Sequence, residues 1–392
     1  MTTLQDGTTT REGRTGASAP RPAGRPERPA GRGALLRRTS WALAVAVPVA
    51  FLGIFFVWPV GALVGRGFWA DGTLDLGGFA DVLSQPRTWR IVGLTLAQAT
   101  LGTAVSLLLG IPGAYVLYRC TFRGQAAVRA FVTVPFVLPT VVVGVAFRAL
   151  LAESGPLGPL GLDGTFTAIV VALVFFNYSV VVRTVGGLWE HLDPRAEQAA
   201  RALGASPARA FWTVTLPSLG PAVASAAAVV FLFCATAFGV VLVLGGQRYG
   251  TIETEIWMQT VQFLDLRTAA VLSVAQLVVV SAALAVASRA RSRRETALAL
   301  TAATRSTHPL RLRSADALPA ALTAVVVLVL LAWPIANLVL RSLQTPDGWG
   351  LGNYAALGTT GGRDALTVTV WEAAATSLRT AAWATLVALL VG

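Results

Sequence analysis

The residues that could do chemistry are few, and most of them stand in one polar loop. Glu190 to Pro217 reads EHLDPRAEQAARALGASPARAFWTVTLP. The loop holds carboxylates, arginines and an imidazole, but in no pattern that makes or breaks bonds. His191 and His308 lie far apart on polar segments and read as solvated surface residues, not as a metal cluster. Cys120 ends one apolar run and Cys234 lies inside another, so no disulfide is expected and no redox compartment follows. The apolar runs carry no paired carboxylates, no histidine cluster and no nucleophile beside a base, which leaves a membrane enzyme without support. All 31 basic residues are arginine. A phosphate loop for ATP requires a lysine, so any ATP hydrolysis must occur on a separate subunit. What the loop can supply is mechanical.

Its local signals describe a lever. Asp193-Pro194 suits a helix start, since Asp can cap and Pro fits the first turn. Residues 195–203 favour helix, and Gly204 can end it in a left-handed conformation. Ser206-Pro207 starts a second short helix through Thr215. Leu216-Pro217 is expected to redirect the chain into the next apolar run.

The elements that must hold this lever are membrane spans. The chain of 392 residues is 55% hydrophobic and only 13% charged, against about 25% in soluble domains. The net charge of +12 resides largely in short flanks of apolar runs: eight arginines in the first 40 residues and seven between Arg289 and Arg313. That placement sets membrane orientation and argues against a nucleic-acid partner. Residues 1–40 read as a disordered basic tail. Arg37-Arg38 is like a twin-arginine signal, but the uncharged run 41–64 is longer than a signal core, so it reads as span one.

About 20 apolar residues cross a bilayer core of about 30 Å. Arg90 to Arg119 encloses 28 uncharged residues (span two), Arg129 to Arg148 encloses 18 (three), and Asp163 to Arg183 encloses 19 (four). Arg209 to Arg248 encloses 38; with Pro217 and Pro221 as breakers, span five is expected from about Pro221 to Leu244. Spans six and seven lie within 267–289 and 316–341, and span eight starts near Ser377. The basic tail, Arg119, Arg123 and Arg129, the 190–217 loop and the 289–313 linker all fall on one side, expected to be cytoplasmic with the N-terminus.

A repeat divides the chain. Residues 57–66, VWPVGALVGR, match 332–341, AWPIANLVLR, at an offset of 275. Leu76-Gly77-Gly78-Phe79-Ala80 matches Leu351-Gly352-Asn353-Tyr354-Ala355 at the same offset, and 95–110 matches 377–392 after a seven-residue shift. Six spans separate the copies, so the repeats are parallel. The fold expected is an all-α polytopic membrane protein: tail 1–40, a six-span domain 41–289, a linker 290–316, and the first two spans of a second repeat in 317–392. With 13 residues after Arg379, or about 20 Å of helix, the last span reads as cut short, and the chain as a fragment of a protein of about twelve spans.

The loop resembles the EAA motif of permease subunits in binding-protein-dependent ABC importers: Glu-Ala-Ala, three residues, Gly, nine residues, then Ile-x-Leu-Pro. Gln198, Ala199, Ala200, Gly204, Val214, Leu216 and Pro217 stand at that spacing, with Gln198 in place of the Glu and Glu197 one residue earlier. The resemblance implies that the loop couples to the ATPase, with Glu197 or Arg201 available for the missing carboxylate's contact. It implies as partners a dimer of ATPase subunits, an extracellular or periplasmic substrate-binding protein, and the lipid bilayer. It implies no cofactor. PFVLPTVVVG (135–144), VFFNYSVVVRTVGGLW (174–189) and residues 231–257 resemble the two-half branch that imports iron(III) or thiamine.

For the translocation path the candidates are Asn177, Tyr178, Pro135 and Pro139. Asn177 is a polar group within a span, which either lines a path or bonds between helices. Pro112, Pro135 and Pro139 are expected to break or kink spans two and three. Glu253 and Glu255, in the outer loop before span six, either meet a substrate-loaded binding protein or form a solvated face, and the solvated face is the expectation. A secondary, ion-coupled transporter is the alternative; it would carry ionisable residues mid-span, and none is expected here.

Overall fold

The computed structural model describes residues 45–70, 73–75, 77–246, 248–295, 307–310, 316–346, 348–361 and 367–391. The tail 1–40 and much of the 290–316 linker, with the cytoplasmic side expected for them, lie outside these residues. Seven helices are long and apolar enough to cross a bilayer: Val45–Ala62, Pro86–Arg119, Phe166–Glu190, Pro207–Ala235, Leu266–Ala285, Ala317–Ser342 and Val370–Leu390. They are spans one, two, and four to eight. Span three is a pair, Gln125–Val137 and Thr140–Leu151, bent by 103°. The sheet content among the described residues is three two-residue pairings.

The prolines act differently from one another. Proline lacks an N–H and its ring presses on the carbonyl four residues back. A wider π-helical turn absorbs both defects. Such turns stand at Gly53–Val57, Phe211–Thr215 and Val326–Ala332, directly before helices that carry Pro59, Pro217 and Pro334 in their first turn. Span five runs unbroken from Pro207 to Ala235; the π turn precedes Pro217, Pro221 lies inside the α-helix beyond it, and neither proline redirects the span. This corrects the expected Pro221–Leu244 span. Pro112 likewise stays inside the continuous helix Pro86–Arg119. The break falls at Leu138-Pro139, both extended (ψ 140° and 133°), as the residue before proline prefers. The second half of span three then packs on the short helix Gly239–Gly245 that follows span five.

The core lies between spans two, four and five. Span four is the most buried, while spans one and eight are exposed along their apolar windows. Small residues let the backbones approach, as is usual between membrane helices. A Cβ on Gly102 would lie 2.8 Å from Cys234 Sγ, and one on Gly113 would run into the Tyr178 hydroxyl.

The internal repeat is structural. The Trp-Pro helices begin at Trp58 and Trp333. Each leads into a hairpin, Trp69–Ala70 against Thr73–Leu74 and Gln344–Thr345 against Gly348–Trp349. Each hairpin is closed by one more bond, Asp75 N to Phe68 O at 2.8 Å and Gly350 N to Leu343 O at 2.9 Å. Short helices follow from Gly77 and Gly352. All these positions differ by 275, as 333 does from 58. The packing differs between the copies: the helix Trp58–Phe68 lies on span six, whereas span seven lies on span two and on the second half of span three.

Span eight begins earlier than expected. Its helix is Val370–Val391, 22 residues, or about 33 Å at about 1.5 Å per residue. Glu372 and Arg379 lie within it, both exposed, so one span does carry a mid-helix arginine.

At the end of the bundle where span two begins, charged groups are tied together. Arg267 pairs with Asp75. Arg87 meets Glu255 at 2.9 Å, and Gln276 Nε2 donates to Glu253 Oε1 at 2.6 Å. Glu255 is buried, so these carboxylates are structural ties and not the solvated face expected. The Gly77 N–H and the Arg267 guanidinium hold the Asp75 carboxyl below its ordinary range, and burial pushes that of Glu253 up.

Candidate coupling loop

The loop 190–217 stands at the opposite end, where spans two and four finish. Its first helix is Arg195–Ala202. Asp193 Oδ1 accepts from Arg195 N at 2.9 Å, so the carboxylate does cap the entrance. At the exit Leu203 N reaches Ala199 O (3.0 Å) and Ala205 N reaches Ala200 O (3.1 Å). Gly204 takes φ +92° with nothing within 4 Å of a would-be Cβ. The glycine therefore serves the left-handed turn, and no atom of this chain crowds it. Ser206 Oγ accepts from Arg209 N at 3.3 Å. The second helix, Pro207–Ala210, does not end at Thr215 but continues through the π turn into span five. The loop is thus one short helix joined through the turn at Gly204 to the extended end of a span.

The EAA-type positions divide between two faces. Glu197 Oε2 accepts from Thr215 Oγ1 at 2.9 Å and so faces the start of span five. Ala200 and Leu216 are half-buried, whereas Gln198, Ala199, Arg201, Gly204 and Pro217 are exposed. Of the two stand-ins for the absent carboxylate's contact, Arg201 is on the open side and Glu197 is engaged inside the loop. Two apolar residues that sequence reasoning passed over stand out here: Leu203 is 89% exposed and Trp212 66% exposed. Their signal was available as large apolar side chains in an otherwise charged stretch.

Behind the loop the contacts are firm. Arg119 Nη1 donates to Leu192 O at 3.4 Å. Trp189, buried at the end of span four, packs its ring between Tyr115 (5.5 Å) and Phe211 (6.0 Å). Tyr115 in turn donates its hydroxyl to Asp316 Oδ1 at 2.7 Å.

The path candidates fall in two places. Asn177 is buried in the core, its Nδ2 donating to Leu173 O at 2.9 Å and to Cys234 Sγ at 3.4 Å. Tyr178 is fully buried against Gly113. Asn177 thus bonds from span four to span five. Pro135 is buried inside the first half of span three, and Pro139 is exposed at its bend. A cavity of about 620 Å³ lies elsewhere, between the ends of spans two, three and seven, with a lining that is apolar except for Thr323.

Residues 106–294 match the family described as the inner membrane component of binding-protein-dependent transport systems. That stretch includes the whole loop. The sulfate transport system permease protein CysT of Synechococcus elongatus is 32% identical over 217 residues, covering 54% of this chain and 76% of that protein. The molybdenum transport system permease protein ModB of Mycobacterium bovis is 31% identical over 251 residues, 62% of this chain and 87% of that one. A bacterial ABC transporter that imports alginate shares the fold, with a TM-score of 0.57 over 66% of this chain and 98% of that chain at 17% identity. The iron(III) or thiamine branch implied by the sequence resemblance is corrected by these relatives, which are named for sulfate and molybdenum.

Proposed function

The chain belongs to the inner membrane components of binding-protein-dependent transport systems, and we propose that it is the multi-pass permease of an ABC importer for a tetrahedral oxyanion, sulfate or molybdate. A permease moves its cargo without altering it, and a chain without lysine has no phosphate loop of its own. The energy then comes from a separate pair of ATPase subunits, engaged by the Arg195–Ala202 helix and the exposed Leu203 and Trp212. The observation that carries this reading is the loop itself. Gly204 at φ +92° turns a capped helix back onto the foot of span five, leaving apolar side chains uncovered on the outer side. The tail and this loop are proposed to face the cytoplasm, and a binding protein to deliver cargo at the other end. The names of the relatives support the cargo class.

The test is uptake in vesicles holding the full transporter, its ATPase and its binding protein, with labelled sulfate, molybdate, iron(III) and thiamine offered in turn. ATP-dependent accumulation of an oxyanion alone is expected. Uptake of iron(III) or thiamine in its place would reject the cargo, and uptake without any ATPase would reject the importer.

A further inference from the structure

A continuous set of buried and half-buried contacts leads from the loop to the first span of the second repeat. Phe211 opens the π turn at the foot of span five, and Glu197 is bonded to Thr215 within that same turn. The Phe211 ring stacks on Trp189 at 27° between planes. Trp189 is 2% exposed and meets Tyr115 of span two on its other side. The Tyr115 hydroxyl is bonded to Asp316, which is itself buried and directly precedes the first residue of span seven. Asp316 O accepts from Ala320 N at 2.9 Å, so its carboxylate and the helix start move together. At the other end, Arg341 Nη2 donates to Ala149 O of span three at 2.9 Å.

We propose that Trp189, Tyr115 and Asp316 are positioning residues that carry displacement of the 190–217 loop into span seven. One loop would then move the first span of the second repeat as well as its own half. The proposal rests on the reading of that loop as the ATPase contact. Three physical facts support it. Close-packed aromatic rings transmit strain to the rings they touch, so a shift of Phe211 is passed on to Trp189 and Tyr115. A hydroxyl-to-carboxylate bond in a low dielectric is strong and directional. With its far end held at Ala149, span seven converts a shift at Asp316 into a tilt. Arg119 provides a second tie to the loop, through Leu192 O, but ends on span two.

Tyr115→Phe tests this with the ring retained and only the hydroxyl removed. Uptake and ATP hydrolysis are measured together in vesicles holding the full transporter with its ATPase and binding protein. In parallel, maleimide labelling of a Leu318→Cys variant is followed with and without ATP; Leu318 is 78% exposed, and both native cysteines are buried. Uptake per ATP hydrolysed should fall at least about fivefold, and labelling at position 318 should lose its response to ATP. Asp316→Leu should behave the same way. Asp316→Asn, which keeps an acceptor oxygen, should restore most of the coupling. Melting temperatures of the variants identify any loss due to misfolding, and the Asn-against-Leu contrast decides the matter if Tyr115→Phe is unstable. Wild-type uptake per ATP in both Tyr115→Phe and Asp316→Leu would overturn the relay, as would an unchanged ATP response at position 318. A wild-type chain that binds no ATPase would instead overturn the reading of the loop, and the relay with it.

Discussion

Thr215 donates its hydroxyl hydrogen to Glu197 across 2.9 Å, joining the free-standing helix of the loop to the foot of span five. The seventeen residues between them include the left-handed turn at Gly204, so this bond closes the turn from inside. The carboxylate that sequence reasoning offered as an external contact is thereby assigned an internal one.

Thr215→Val should loosen the Arg195–Ala202 helix while leaving span five in place. A hydrogen bond to a charged group is worth about 1.5–3 kcal/mol when well formed, and about 1 kcal/mol is a reasonable share for a half-buried loop. Amide exchange across 195–203 should accelerate about fivefold on that basis, with span five unchanged. Unaltered exchange in the loop would show that the bond contributes nothing to its rigidity.

Gly204 separates a conformational requirement from a steric one. At φ +92°, any other L-residue is strained by about 1–2 kcal/mol, and no neighbouring atom adds to that. Asn tolerates the left-handed region better than a β-branched residue does. Gly204→Val should therefore abolish substrate-stimulated ATPase activity in the assembled transporter, and Gly204→Asn should retain most of it, both with normal membrane insertion. Equal loss in the two variants would point to crowding by the partner and not to the turn.

Much of the loop was legible because its signals are local: Asp193 at a helix entrance, Gly204 at an exit, and Ser206-Pro207 at a second entrance all act within a turn of themselves. Span five differs from its expected bounds for the opposite reason. Pro217 reads as a breaker, yet the π turn over Phe211–Thr215 stands directly before its helix, and Pro221 stays inside that helix without such a turn beside it. Span eight starts before its expected residue because charge is no boundary there: Glu372 and Arg379 lie inside the helix on exposed positions. The burial of Glu255 depends on Arg87, 168 residues away, and no local pattern reports such a partner.

Glu253 allows a test by pH. Burial raises its folded-state carboxyl above the ordinary range, opposed by the Gln276 bond. A raised folded value means that its stabilising contribution is complete below the unfolded pKa and is lost as pH rises through the folded one. Glu253→Gln keeps an acceptor for Gln276 and removes the buried charge. Its melting temperature should match the wild type near pH 4 and equal or exceed it at pH 7.5. A variant less stable at pH 7.5 but not at pH 4 would mean that the charged form is the favoured one.

Gly102 and Cys234 provide the sharpest test of the core. A Cβ at Gly102 would stand 2.8 Å from Cys234 Sγ but 3.6 Å from its Cβ, an ordinary contact. Gly102→Ala alone should destabilise by about 1–3 kcal/mol, the usual result of overpacking. Cys234→Ala alone removes the sulfur that Asn177 Nδ2 approaches and opens a small void, and should also destabilise, by less. The double variant places the added methyl where the sulfur was. Residues in contact of this kind couple by about 0.5–3 kcal/mol, so its loss of stability should be well below the sum of the two single losses. Denaturation in detergent, followed by helix content, measures all four chains under one condition. Strict additivity would mean that spans two and five do not approach at this glycine, and that the packing of spans two, four and five has to be redrawn.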